Sequence, residues 1–411
     1  MSDEKKLVED LYITIKTDEE DFMLFQNLVP NRLEHIEAAP DTQVDPDIPC
    51  VNILSNRLHP RCQHLEVSDI KEITPSIKLI RLVPAKDTKE LAYFRPGQYI
   101  SLELNVDGSA ITRPYSIASS PDDSLNGYYE LAVKNNDYGF AAKYLYNDLK
   151  VGDVLKTSSP CGHFYFDDIR DKHDIVGIAG GSGITPFRST ARAIVDGTID
   201  CSMTLFYGAA NEAELAFREE FLELEKKSNG KFKVVFVLSN DDKEGYLHGF
   251  ITRDVLEKYV DLHNVTTFIC GPQVMYSFLN KELEPLNIRR KLVRYELFGQ
   301  PTKIEAEKDF PQDMVGRTFK VIVHQGPTTR VIDAKATETL VCSMERAGIR
   351  PPTNCRSGAC GFCRSQLISG NVYVSHKDDG RRYGDKKFGF IHPCSTFPLS
   401  DLELVVPPTK E

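Results

Sequence analysis

The 411-residue sequence predicts a multidomain chain: an antiparallel β-barrel, then an α/β parallel sheet, then a small cysteine-bearing module of hairpin and helix. Three observations carry this. Between residues 65 and 170, short alternating strands are separated by Gly and Pro turns, the rhythm of an antiparallel barrel. Between residues 171 and 299, apolar strand runs alternate with helical patterns, which argues for parallel pairing. Further on, Cys355, Cys360 and Cys363 crowd one loop, and Cys394 answers them after a gap of 30 residues.

Composition bounds the possibilities. The formal charge is −10, no run of 18 apolar residues exists, and Met1-Ser2-Asp3-Glu4-Lys5-Lys6 lacks the apolar core of a signal peptide. The expectation is a cytoplasmic protein with no membrane insertion, and nothing supports nucleic-acid binding. Six further cysteines (Cys50, Cys62, Cys161, Cys201, Cys270, Cys342) have no framework spacing, which favours free thiols in a reducing compartment. Charge is unevenly placed: residues 315–411 carry 14 Lys and Arg against 9 Asp and Glu, net +5, leaving 36 against 51, net −15, for residues 1–314. Residues 1–64 read as an acidic, Pro-rich extension without an assigned role. Cys50 with His59, Cys62 and His64 fits no common zinc spacing and reads as a loop.

In the barrel region, residues 77–83, 98–104 and 128–133 alternate as strands, with turns at Arg95-Pro96-Gly97, Asp107-Gly108 and Val151-Gly152-Asp153. Arg113-Pro114-Tyr115-Ser116 combines a guanidinium suited to phosphate, a flat ring, and a hydroxyl able to hydrogen-bond a reacting ring nitrogen. Leu131-Ala132-Val133-Lys134 leads to Gly139-Phe140-Ala141-Ala142, where a glycine opens a helix whose free amides suit a pyrophosphate. Residues 159–164 close the barrel. In this order the elements resemble the ferredoxin–NADP reductase superfamily from about Leu65 to Gly299. The resemblance implies a flavin held by Arg113, Pro114, Tyr115, Ser116, Val133 and Lys134, with Gly139, Phe140, Ala141 and Ala142 at its phosphates. Ala142 stands where that superfamily often has Ser, so one phosphate bond is missing; the flavin reads as FAD, with FMN the alternative.

A buried strand run over 174–179 meets Gly180-Gly181-Ser182-Gly183 and a helix beginning near Thr185. Strand, glycine turn and helix N-terminus make a diphosphate cradle. This resembles the same superfamily's nicotinamide-binding motif. Strands follow at 202–207, 232–238 and 266–270; Cys270-Gly271-Pro272, with Met275, ends the last and borders the crevice at the sheet's carboxyl edge. The resemblance places that segment beside nicotinamide, and Glu296-Leu297-Phe298-Gly299 near the flavin ring, so Ser116, Cys270 and Glu296 are the candidates nearest the reacting atoms. Cys270 equally suits a buried strand position, and Glu296 an exposed charge. After the second strand, Glu212 and Glu214 stand in a segment without Arg or Lys, which repels a 2′-phosphate and favours NADH over NADPH. Residues 300–314 read as a polar linker that lets the last module swing or dock.

Thiolates four and then two residues apart can wrap one iron–sulfur cluster from a single loop, whereas zinc ribbons bring two close pairs. Gly358 and Gly361 suit a loop whose amides turn inward. A hairpin pattern over 319–333 and a helix through Leu340, Met344 and Ala347, stopped by Gly348, complete the module. It resembles the plant-type 2Fe-2S ferredoxins over residues 316–411, which implies a β-grasp fold with Cys355, Cys360, Cys363 and Cys394 as ligands. The full fold class is therefore an antiparallel β-barrel flavin domain (65–170), an α/β parallel-sheet nicotinamide domain (171–299), the 300–314 linker and a β-grasp 2Fe-2S ferredoxin domain (315–411). This order resembles the iron–sulfur flavoprotein reductases that feed oxygenases, the phthalate dioxygenase reductase type. It implies NADH delivering a hydride to flavin and a cluster passing single electrons to a protein acceptor, an oxygenase or other redox enzyme. Alternatives are an electron-transfer subunit of a larger complex, and a flavin or quinone reductase acting on a small acceptor.

Overall fold

The computed structural model describes residues 32–35, 37–38, 50–106, 108–135, 139–301, 303–375 and 379–408. The chain forms two compact units, 1–55 and 56–411. Most of the first lies outside the described residues; helix α1 (Cys50–Leu58) begins in it.

In the second unit, β1 (Gln63–Thr74), β2 (Ile77–Pro84), β3 (Tyr99–Val106), β4 (Ser109–Ser116), β5 (Tyr129–Lys134) and β6 (Val154–Thr157) form one antiparallel sheet in the order β4-β3-β6-β1-β2-β5. A bridge between Ile117 and Leu131 joins its two ends and curls it into a barrel. Alternation places Leu65, Val67, Ile80, Leu82, Leu102 and Leu104 inside. Two helices accompany it, α2 (Pro121–Leu125), capped by Ser120, and α3 (Phe140–Asn147), opened by Gly139.

The second sheet is parallel, in the order β10-β9-β8-β7-β11-β12. It comprises β7 (Asp174–Gly180), β8 (Ser202–Ala209), β9 (Phe232–Leu238), β10 (Leu247–His248), β11 (Thr266–Cys270) and β12 (Val293–Tyr295). Helices α4 (Thr185–Val195), α5 (Arg218–Lys227), α6 (Arg253–Glu257) and α7 (Gln273–Leu283) connect the strands. β7 and β11 carry all-buried interiors, as strands covered on both faces must. Strand order reverses between β7 and β11, so a crevice opens at their carboxyl ends. Barrel and parallel sheet are locked by a buried ionic network. Arg188 of α4 reaches Glu130 of β5 at 2.7 Å, the Ala118 carbonyl at 3.1 Å and Glu220 of α5 at 2.8 Å; Arg192 reaches Asp123 of α2 at 2.7 Å.

The third sheet runs β14-β13-β19-β15-β17, from β13 (Thr318–Gln325), β14 (Thr328–Lys335), β15 (Ser365–Ser369), β17 (Phe390–Ile391) and β19 (Leu402–Val406). A separate pair joins β16 (Val372–Val374) to β18 (Thr396–Pro398). Helix α8 (Leu340–Arg346) buries Leu340, Val341 and Met344 against the larger sheet, and α9 (Tyr383–Lys387) precedes β17. Residues 300–314, expected as a polar linker that lets the last module swing or dock, pack on that module. Ile304 and Phe310 are buried with Ala336, Tyr373 and Phe397, and the Gln312 amide closes on the Glu305 and Phe310 carbonyls. Polar composition hid two apolar side chains that tie the segment to the third module.

Candidate redox site

Three groups of residues meet around one end of the barrel. The first lies on β3, β4, β5 and the start of α3. In the β3/β4 ladder Tyr99 faces Ser116, Ile100 faces Tyr115 and Ser101 faces Pro114, so Arg113 and Tyr115 share a face distinct from that of Pro114 and Ser116. Pro114, Ser116 and Val133 are buried, Arg113 and Tyr115 half-buried, and Lys134 exposed. Burial, and next the neighbouring Arg356 charge, lower Arg113 below the usual guanidinium value. Its hydrogen bond in the structure goes to the Thr112 carbonyl at 2.9 Å. A guanidinium so placed fits a phosphate. Gly139, Ala141 and Ala142 sit at the opening turn of α3 with Ala141 buried, while Phe140 projects outward. The residues of this face therefore fit a flavin nucleotide.

The second group is the crevice. Gly180 ends β7, a 3₁₀ turn covers Gly181–Ile184, and Thr185, whose hydroxyl donates to the Ser182 carbonyl at 3.1 Å, starts α4. Across from it, Gly271 and Pro272 leave β11, and Met275 follows on α7. The two turns touch. A Cβ on Gly183 would lie 2.2 Å from the Cys270 carbonyl oxygen, and one on Gly180 would lie 2.7 Å from Met275 Sδ. These glycines let the two turns close on each other, and the 3₁₀ turn leading into the α4 N-terminus beside them suits a diphosphate. Lys134 reaches it from the barrel, 3.5 Å from where a Gly181 Cβ would stand. Cys270 is buried, and burial raises its thiol well above its ordinary value. Glu296 differs from an exposed charge: it is 7% exposed and its Oε2 is buried without a partner. Burial, reinforced by Cys355, holds its carboxyl well above the usual range. Its backbone is pinned, the amide donating to the Ile269 carbonyl at 3.0 Å and the carbonyl accepting from Tyr276 at 2.5 Å.

The third group is the cysteine loop. Among the described residues no three His, Cys, Asp or Glu side chains gather as a single-ion site. The four thiols fall instead into two pairs. Cys360 donates its amide to Cys355 Sγ at 3.4 Å, and Cys363 Sγ lies 3.3 Å from Cys394 Sγ. Further amides turn on the sulfurs: Gly358 to Cys394 at 3.1 Å, Ser357 to Cys355 at 3.5 Å and Phe362 to Cys360 at 3.4 Å. Arg356, Gly358 and Gly361 hold positive φ, which curls the loop inward. Two thiolate pairs within such a shell fit a two-iron cluster and not a lone zinc.

The cysteine loop abuts the barrel directly. Ser101 of β3 hydrogen-bonds Asn354, the Gly299 amide reaches the Cys355 carbonyl at 3.4 Å, and Phe298 meets the Tyr99 ring edge-on at 5.0 Å. Buried Arg356 pairs with Glu345 of α8 through both nitrogens, at 2.5 and 2.9 Å, and also reaches Gln300 at 3.3 Å. Tyr99, Gln300 and Glu345 escaped the sequence reading because no motif joins them, and the partners of Arg356, though it stands within the cysteine motif, escaped it too. At the end of β8, Glu212 is surrounded by Lys243, Arg218 and Tyr246. The segment itself is free of cations, yet two arrive from α5 and from the loop after β9. Glu214 turns instead to Ser76 of the barrel. His64 pairs with Asp87 at 2.6 Å, away from any metal grouping among the described residues.

A flavin face, a nicotinamide crevice and a thiolate loop on adjoining walls define an iron–sulfur flavoprotein oxidoreductase. Comparison with known proteins gives the same order: the Oxidoreductase FAD-binding domain family matches residues 64–166, the Oxidoreductase NAD-binding domain family residues 178–281, and the 2Fe-2S iron-sulfur cluster binding domain family residues 323–399. Among curated relatives, one subunit of the 1,2-phenylacetyl-CoA epoxidase of Escherichia coli is 26% identical over 345 residues, covering 82% of this chain and 95% of that protein. The glycine betaine monooxygenase reductase subunit of Chromohalobacter salexigens is 25% identical over 332 residues, covering 77% and 89%. Among solved structures, phthalate dioxygenase reductase shares the fold with a TM-score of 0.59 and 23% identity, over 84% of this chain and 98% of that one. The chain is thus an iron–sulfur flavoprotein reductase of the ferredoxin–NADP reductase superfamily with a C-terminal plant-type 2Fe-2S ferredoxin domain. Its cofactors are FAD, NADH and a 2Fe-2S cluster, and its electrons pass to a redox protein. Among the described residues no helix is long and apolar enough to cross a membrane.

Proposed function

We propose that the acceptor is an oxygenase-type protein and that electrons enter at the β7/β11 crevice and leave through the cysteine loop. The observation that supports this route is the contact of the cysteine loop with Ser101 of the barrel, and with Gly299 and Gln300 just after the parallel-sheet domain, on the side where the flavin face lies. Bound flavin supplies the conversion from a two-electron hydride donor to a one-electron cluster. The chain supplies placement. Arg113 and the amides after Gly139 would hold the phosphates of a bound flavin, Tyr115 would offer its ring to it, and the Ser116 hydroxyl would serve a ring nitrogen. Val133 and Lys134 flank the ring and the crevice. Gly180, Gly181, Ser182, Gly183 and Thr185 seat the dinucleotide diphosphate opposite Gly271, Pro272 and Met275. Cys270 and Glu296 close the nicotinamide side and exclude water. Cys355, Cys360, Cys363 and Cys394 hold the iron.

The functions named for the two curated relatives, in an epoxidase and in a monooxygenase system, support an oxygenase acceptor. The nine cysteines free of disulfides among the described residues support a reducing, cytoplasmic setting. Cys360→Ser is the test. It removes one iron ligand far along the path, so NADH-driven cytochrome c reduction should be lost while NADH-to-ferricyanide activity persists. Equal loss of both rates would overturn the linear route.

A further inference from the structure

We propose that the acceptor docks on the basic, aromatic surface formed by residues 380–388 around α9, and that the acceptor's matching face is acidic. This rests on the electron-transfer reading and identifies its exit.

The cysteine loop has two sides. One is occupied by Ser101 of the barrel at Asn354 and by Gly299 and Gln300 at Cys355 and Arg356. The other is covered by the 380–388 segment. A Cβ on Gly380 would lie 2.6 Å from the Gly358 carbonyl oxygen and 2.9 Å from Ala359 Cα, so backbone lies on backbone there. Buried His392 fills the layer between them, its Nδ1 2.6 Å from the Gly358 carbonyl and its Nε2 3.6 Å from Asp385 of α9. One residue layer thus separates the thiolate loop from this surface.

Its chemistry is that of a docking site. Tyr383 is 80% exposed, Phe388 64% and, on the loop itself, Phe362 59%. Large exposed aromatics beside charge are the residues from which interface anchors are made. Described residues within 358–390 carry Arg364, Arg381, Arg382, Lys386 and Lys387 against Asp379 and Asp385, five against two, net +3. Asp379 is taken by Arg381 at 2.8 Å and Lys386 at 2.9 Å, and Asp385 by Arg364 at 3.0 Å, so the carboxylates are neutralised within the segment. What it presents outward is positive, on a module of net +5 in a chain whose remainder is −15. Such a field draws an acidic partner to the cluster and away from the rest of the chain.

The test uses the full-chain holoprotein and two one-electron probes of opposite charge, the acidic soluble domain of cytochrome b5 and basic cytochrome c. Arg382→Glu with Lys387→Glu should slow cytochrome b5 reduction about tenfold at low salt and flatten its decline with ionic strength, while speeding cytochrome c reduction. A folding defect would slow both. As a positional control, Arg330→Glu with Lys335→Glu reverses two exposed charges on β14, at the opposite edge of the sheet from β17, and should leave the ratio of the two rates unchanged. If the α9 reversal leaves that ratio at the wild-type value while NADH still bleaches the cluster, the docking surface is wrong and the electron path stands. If NADH fails to bleach the cluster of the wild-type chain, the electron-transfer reading falls, and this proposal with it.

Discussion

Glu212, just past the end of β8, holds Arg218, Lys243 and Tyr246 on itself, and the proposed seat of the dinucleotide puts its adenosine ribose beside that carboxylate. Its carboxyl lies below the usual range, chiefly through the hydrogen bond from Lys243. The same three partners would serve a 2′-phosphate if the carboxylate were gone. Glu212→Ser should therefore raise NADPH kcat/KM relative to that for NADH by about tenfold or more, measured by parallel steady-state kinetics with ferricyanide. No change in that ratio would show that the 2′ position lies elsewhere. The carboxylate was legible in the sequence; its cations were not, because they belong to other elements. The cysteines were legible for the opposite reason: bonding to one cluster imposes their spacing on the chain. Arg356 shows the boundary of such reading. It lies inside the cysteine motif, yet its bond to Glu345 exists only because α8 packs beneath the loop.

Elements were readable where period and punctuation agree. Alternation marked β2, β3 and β5, and glycine after an apolar run marked the β7–α4 turn. What that turn touches is a tertiary fact. Gly183 has room for a hydrogen and nothing more, since the Cys270 carbonyl stands 2.2 Å from any Cβ placed there. Gly183→Ala must push the β7 and β11 turns apart. Overpacking of this kind costs roughly 1–3 kcal/mol. The expected result is an NADH KM raised by about an order of magnitude, with the flavin spectrum of the purified protein intact. An unaltered KM would place the dinucleotide away from this pair of turns. The packing of the 300–314 segment was illegible for a related reason: Pro and charge dominate its composition, while Ile304, Phe310 and Met314 pack it against the third module.

At the scale of the molecule, the barrel and the parallel sheet are held in register by Arg188 between Glu130 and Glu220. Glu130 is 4% exposed and its Oε1 is also held by Arg81 at 2.8 Å, so removing the Arg188 guanidinium leaves only its buried Oε2 without that partner. Arg188→Met should lower stability by about 1–3 kcal/mol in urea unfolding, Arg81 still pairing the carboxylate, and adding Glu130→Leu should recover much of that. Failure of the second substitution to recover anything would show that Arg188 acts through packing alone. The seam that the first two domains and the 300–314 segment make with the third module is of another kind: its named contacts are short polar ones at Ser101, Gly299 and Gln300, and the apolar anchors Ile304 and Phe310 face inward to the third module. Gly299, with φ of 85°, is the last residue before those ties begin. A gene rearrangement that carried this electron carrier to a new host enzyme would keep its core whole only if the crossover fell before Ile304, and a cut at that glycine meets the condition. The heritable unit is thus longer than the cysteine-bearing sheet, and a fusion cut at the first strand of that sheet would inherit a wound in its hydrophobic interior.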